Sequence, residues 1–188
     1  IPSLKENQLL VKSICSLISP GTEGMLALFG KSNIFDKAKQ QPDKVKAVID
    51  KVSSDGFIET FDAIKNKIEQ PIPLGYSNVG KVISVGNKVK GFKVGDRVAS
   101  NGPHAEAFAV NQNLCALIPE SVSNEKAVFT VIASIGLNGI RLSNPSFGET
   151  FLVSGLGLIG LLTSQILTAH GCEVLGVDPD EDRCSIAN

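Results

Sequence analysis

Apolar and polar positions along the chain change their spacing several times, and each spacing predicts a different kind of element. Glu6 to Ile18, ENQLLVKSICSLI, has the β-branched and apolar content of a strand packed on both sides, and Ser19-Pro20-Gly21 ends it. From Gly24 to Gln70 the spacing is helical. Pro42 suits the first turn of a helix whose Val45, Val48, Ile49 and Val52 make one stripe, and after Ser53-Ser54-Asp55-Gly56 the residues Phe57, Phe61, Ile64 and Ile68 repeat it. Lysines fill the other faces. Such a surface could bind an acidic partner, but lysines mixed with Asp and Glu mark a solvated face. From Pro71 short apolar runs alternate with Gly and Asn turns through Gly80 to Val98, the pattern of small barrels of antiparallel strands. Asn101-Gly102-Pro103 is a further turn, Ala105 to Val110 a strand, and Leu114 to Ile118 another. Ser123-Asn124-Glu125 looks like a helix start, and Ala127 to Ile140 fits a buried helix running to a turn at Asn144-Pro145.

The stretch from Phe151 to Arg183 organises the rest. An apolar run, Phe151 to Val153, enters Gly155-Leu-Gly157-Leu-Ile-Gly160; Leu161, Leu162, Ile166 and Leu167 then keep helical spacing, and a second apolar run, Val174 to Val177, ends at Asp178. Strand, glycine turn, helix, strand and acid in that order predict the opening of a dinucleotide-binding fold. Gly155 permits the tight turn, Gly157 lets the backbone approach a pyrophosphate, and Gly160 lets the helix pack closely on the strand. Phosphate would sit on the helix N-terminus, at the N–H groups around Leu158 and Ile159. Asp178 can accept hydrogen bonds from a ribose 2′-hydroxyl and repels a 2′-phosphate, so NAD is expected rather than NADP.

Bulk properties narrow the function classes. A net charge of −1 gives no nucleic-acid or membrane-surface signature, and no run of apolar residues is long enough to span a bilayer. Cys15, Cys115, Cys172 and Cys184 are scattered without ligand-like spacing, as expected of free buried thiols in a reducing cytoplasm. The chain begins at Ile1 and stops at Asn188, just after the second strand of the nucleotide-binding pattern, so it is expected to be part of a longer polypeptide.

Ile18-Ser-Pro-Gly-Thr22-Glu23, Gly75-Tyr-Ser-Asn-Val-Gly80, Gly86, Gly95-Asp-Arg-Val98, Ala105-Glu106 and the glycine turn with Asp178 stand in the order found in the medium-chain dehydrogenase/reductase superfamily, which the chain resembles. The long insert, with PLGYSNVG and VASNGPHAE, looks like the dehydrogenase half of bi-domain oxidoreductases of bacterial surface-polysaccharide clusters. The resemblance implies an α/β plus β fold: a GroES-like β-barrel substrate domain at 1–122, with a helical insert at about 24–70, then the first part of a Rossmann domain at 123–188. It also implies a small-molecule substrate of the sugar or nucleotide-sugar class, a homo-oligomer and a following oxidoreductase domain.

The family's catalytic zinc would need three ligands, and each matching position here is changed. Ser19 or Pro20 stands for the thiolate, Tyr76-Ser77 for the His-Glu pair, and Thr130 for the third ligand. Hydroxyls are poor zinc donors at neutral pH, and the cysteines of a structural zinc lobe are missing too, so no zinc is expected. Tyr76 and His104 become the candidate proton donors, with Ser19 and Thr22 orienting substrate. Thr130 and Ser134 are implied to lie on the cofactor side, and Arg183 to reach the adenosine ribose or Asp178. His170 reads as a structural cation at a helix C-terminus. Two functions compete: a zinc-independent NAD(P)-linked oxidoreductase, and a non-catalytic nucleotide-sensing or scaffolding module of a larger protein.

Overall fold

A computed structural model describes residues 2–31 and 73–188. The helical stripes expected at 42–52 and 57–68 lie outside the described residues. The chain divides into two units, Ser19–Leu74 and the remainder, each taken by itself below.

In the larger unit, β1 (Gln8–Ser16), β2 (Asn78–Val85), β3 (Arg97–Ser100), β4 (Ala107–Asn111) and β5 (Cys115–Leu117) form one antiparallel sheet in the order β4-β1-β2-β3-β5. Alternation decides its faces. Leu9, Val11, Val82, Val98, Phe108 and Val110 make one buried cluster, which Val89 and Phe92 of the β2–β3 connection close over. Val79 and Ala99 point the other way and pack with Ala127 and Val128. Two irregularities in the β1–β2 ladder, at Leu10/Val11 and Ser13/Cys15, shift the register as bulges do.

The helix expected from Ser123 is two helices, α2 (Asn124–Ala127) and α3 (Thr130–Ser143). Side-chain hydroxyls account for the break. The Ala127 carbonyl accepts from Thr130 Oγ1 at 2.7 Å and the Val128 carbonyl from Ser77 Oγ at 2.5 Å, so side chains satisfy acceptors at the junction. Nor is α3 buried all round: Ile132, Gly136 and Ile140 form its inner stripe, while Ile135 and Leu142 are exposed. It ends at Asn144, in the left-handed region with φ 49°.

The parallel pair β6 (Thr150–Ser154) and β7 (Glu173–Val177) is joined through α4 (Leu158–Ala169), and α5 (Glu181–Ala187) follows. Ile140, Leu167 and Cys172 form the core here with Phe151, Val153, Ile166 and Val174. Leu152, Leu175 and Val177 on the other face of the pair stay exposed. All four cysteines are free, but only Cys172 is buried; Cys15, Cys115 and Cys184 are partly exposed, which corrects the expectation that all four are buried.

In the smaller unit, α1 (Pro20–Lys31) starts where a turn was expected. Ser19 N–H donates to the Glu23 carboxylate at 2.8 Å, and Glu23 N–H donates back to the Ser19 carbonyl at 2.9 Å. Ser19-Pro20-Gly21 therefore not only ends the strand before it but opens a helix with proline in its first turn, and Thr22 lies on that helix.

Candidate functional site

The glycine turn joins β6 to α4. Gly155 has φ +92°, a conformation that an L side chain would strain, and its N–H donates to the Val177 carbonyl at 2.8 Å. Gly157 is the N-cap of α4, with no side-chain cap. A Cβ there would meet nothing within 4 Å, so the space beside Gly157 is open to a ligand. A Cβ at Gly160 would run into the Gly155 carbonyl oxygen, so the constraint on Gly160 comes from the turn itself, with Val153 of the strand further off. Ahead of this turn lie the first N–H groups of α4, at Leu158, Ile159 and Gly160, which a helix leaves without internal partners.

Leu156 fixes the turn to the next strand. Its side chain is 2% exposed and sits over Gly176 of β7, where a Cβ would fall 2.8 Å from Leu156 Cδ2. Its N–H donates to Asp178 Oδ2 at 2.7 Å. Asp178 Oδ1 accepts from Asp180 N–H at 2.9 Å, and Arg183 Nη1 lies 3.5 Å from Oδ2. The N–H groups of Asp180 and Leu156 hold the Asp178 carboxyl below the usual range for Asp; burial opposes them and Arg183 assists. Arg183 Nε also lies 3.4 Å from Asp180. Gly155, Leu156, Asp178 and Arg183 thus come together, and Leu156, which falls on a variable position of the glycine pattern, carries an anchoring role the pattern does not reveal.

A second polar group gathers at the end of the β1–β2–β3 sheet. His104 Nδ1 lies 2.8 Å from Ser16 Oγ, and Asn78 Nδ2 reaches Ser13 Oγ at 2.7 Å and the Pro103 carbonyl at 3.0 Å. Tyr76 is half-buried beside them in sequence, between Gly75 and β2. Of the other candidates, Thr130 Oγ1 is bonded to the Ala127 carbonyl, and Ser134 Oγ to the Val131 carbonyl at 2.6 Å on an exposed part of α3. Thr22 is exposed on α1, and His170 caps the C-terminus of α4 through N–H bonds to the Ile166 and Leu167 carbonyls.

The donors at the changed zinc positions do not suit the metal. Ser77, in place of a carboxylate, is 1% exposed and committed to the Val128 carbonyl, and Thr130 is committed to Ala127. Among the described residues, no group of three His, Cys, Asp or Glu could hold a metal ion. Cys15 packs beneath the sheet with its thiol toward the Asn124 carbonyl, and burial raises its pKa, with Glu125 adding to the effect. An open groove of about 450 Å³ between α3 and α4 is lined by Arg141, Pro145 and His170 at the far end of α4 from the glycine turn. No helix among the described residues is long and apolar enough to cross a membrane.

A five-stranded antiparallel sheet is followed in the chain by a strand, a glycine turn, a helix and a parallel strand. A family model for the alcohol dehydrogenase GroES-like domain matches residues 50–155, more than half of the chain, and the chain belongs to the medium-chain dehydrogenase/reductase family. It is 36% identical over 118 residues to D-guloside 3-dehydrogenase of Escherichia coli, an alignment covering 61% of this chain and 34% of that protein. It is 28% identical over 152 residues to acryloyl-coenzyme A reductase of Metallosphaera sedula, covering 64% of this chain and 46% of that protein. The chain spans between a third and a half of these relatives. Escherichia coli quinone oxidoreductase in complex with NADPH superposes with a TM-score of 0.65 at 20% identity, over 100% of this chain and 49% of the other. Bacillus subtilis 2R,3R-butanediol dehydrogenase gives 0.67 at 19% identity, over 100% and 55%. These superpositions support a GroES-like domain joined to a Rossmann domain.

Proposed function

We propose that this chain supplies the substrate domain and the first cofactor-binding elements of an NAD(P)-linked oxidoreductase that works without catalytic zinc. One observation carries the reading: the carboxylate of Asp178 and the turn at Gly155–Gly157 are joined by a 2.7 Å hydrogen bond through Leu156 N–H. It supports reading Asp178 as an acceptor for ribose hydroxyls and the turn as a diphosphate cradle. Bound there, the dinucleotide would supply a hydride donor or acceptor. The chain's own part is to orient it: Gly157 gives close approach, the first turn of α4 offers N–H groups, and Asp178 accepts from the ribose. Asp178 favours NAD over NADP, since it would repel a 2′-phosphate, although a structural relative holds NADPH.

Hydroxyls committed to main-chain carbonyls at two former ligand positions support zinc independence. Charge developing on a substrate oxygen would then be met by hydrogen-bond donors, with Tyr76 and His104 the candidates. A polyol or sugar substrate is favoured by the relatives named for D-guloside and sorbitol. Cytoplasmic location, a homo-oligomer and a following oxidoreductase domain belong to the same proposal. The competing reading, a nucleotide-sensing module without catalysis, draws on the same loss of metal donors.

The test is a titration of the full-length protein with NADH and NADPH, combined with metal analysis and sugar-dependent NAD reduction. The proposal expects saturable NADH binding and turnover with zinc far below one per chain. Turnover that needs stoichiometric zinc would overturn its metal-free part; NADH binding without turnover on any polyol or sugar would favour the sensing module.

A further inference from the structure

Two carboxylates share one guanidinium at the tip of β7. Arg183 Nη1 lies 3.5 Å from Asp178 Oδ2, and Arg183 Nε lies 3.4 Å from Asp180 Oδ2. The two acids differ in what else they do. Asp178, whose side chain is buried, already accepts main-chain N–H bonds on both oxygens, from Leu156 on Oδ2 and from Asp180 on Oδ1. Asp180 is half-exposed. Its Oδ1 caps α5 by accepting from Asp182 N–H at 3.0 Å, which leaves Oδ2 for Arg183, and the i,i+3 spacing across the start of α5 brings the two side chains onto one face. Contacts of 3.4 and 3.5 Å are charge pairs at the long end of hydrogen-bond range, on a cation that is itself half-exposed. A phosphate takes a guanidinium through short paired N–H bonds, so each carboxylate on Arg183 is a competitor that a phosphate has to displace.

We propose that Asp180 is a positioning residue that sets cofactor specificity: it holds Arg183 against the tip of β7, keeps the guanidinium from a 2′-phosphate, and so adds to the discrimination against NADPH that Asp178 begins. This rests on the oxidoreductase reading above and deepens its choice of cofactor. Asp180 acts through Arg183 and through charge. Two carboxylates against one guanidinium leave the group net negative, which suits a ribose diol and opposes a phosphate. Asp178 alone cannot give the whole effect, because an arginine released toward solvent would offset its charge and offer the phosphate a partner. Asp180 removes that offer.

The test is a pair of titrations, with NADH and with NADPH, of the full-length protein and three variants, read as the ratio of the two affinities and repeated at high salt. Asp180→Asn removes the charge but keeps the cap, since Asn serves that position as well as Asp. Its NADPH affinity should rise about two- to fivefold, the range of one exposed ion pair, with NADH affinity near wild type, and the gain should shrink as salt screens it. Asp180→Glu keeps the charge and should keep the wild-type ratio. Glu181→Gln removes an equal charge from the neighbouring exposed carboxylate and should leave the ratio unchanged. An unchanged ratio in Asp180→Asn, an equal rise in Glu181→Gln, or a loss of both affinities together in Asp180→Asn would overturn the role of Asp180. The wild type separates the two levels: a protein that binds neither dinucleotide defeats the oxidoreductase reading and the specificity device with it, whereas an unchanged ratio in a protein that binds NADH defeats the role of Asp180 alone.

Discussion

The main-chain N–H of Leu156 donates to Asp178 Oδ2 at 2.7 Å, tying the glycine turn after β6 to the tip of β7. Asp178 therefore has two tasks. It holds the turn in place, and in the proposed cofactor site its carboxylate would also accept from a ribose. The side chain is 2% exposed, so its ionised form depends on the N–H groups of Leu156 and Asp180 and on Arg183.

Asp178→Ala removes both tasks. NADH affinity in the full-length protein should fall on the order of tenfold to a hundredfold, the range for losing hydrogen bonds to a charged group. Arg183 loses its partner at 3.5 Å, so the ratio of NADPH to NADH affinity should rise. Paired titrations with the two cofactors measure both effects.

The acid dependence has a definite sign. The Asp178 carboxyl titrates below its ordinary range in the fold, so its contribution is complete above the unfolded pKa of about 3.9 and is lost as pH falls through the lower native value. Chemical denaturation at a series of acid pH values should show wild-type stability declining there more steeply than that of Asp178→Asn, whose side chain does not titrate.

Ser77 anchors the sheet to the α2–α3 junction. Its hydroxyl is buried, and Ser77→Ala leaves the Val128 carbonyl without that donor. The expected loss is about 1–3 kcal/mol of stability, measured by denaturant unfolding.

Cys115 tests burial on the β5 edge. Burial pushes its thiol up to about 11. Its alkylation by iodoacetamide, followed on the Cys115 peptide by mass spectrometry, should accelerate through that pH, well above the range of a free thiol at about 8.5.

Local spacing made much of the fold legible. The run from Phe151 to Asp178 carries period, turn residues and acid within one short stretch, and β6, α4 and β7 follow it in order. The start of α1 was hidden because Ser19-Pro20-Gly21 satisfies both a turn and a capped helix, and the decision falls to Glu23 reaching back to Ser19 N–H. The break at Val128 was hidden for a different reason: its cause, Ser77, lies far away in sequence. The same holds for Ser16 and His104, and for Leu156 over Gly176, where identity at one position says nothing until the chain brings its partner close.

Two glycines of the turn offer the most direct measurement of the central claim, because they fail differently. Gly160→Ala drives a Cβ into the Gly155 carbonyl and should cost about 1–3 kcal/mol of stability. Gly157→Ala meets no protein atom within 4 Å, so it should keep the wild-type melting temperature while filling the space a diphosphate needs. NADH titration of the full-length Gly157→Ala protein, with melting measured alongside, decides the matter. The account predicts saturable binding by wild type, and binding weakened at least tenfold in a variant that melts normally; equal NADH affinity in the two proteins would contradict it.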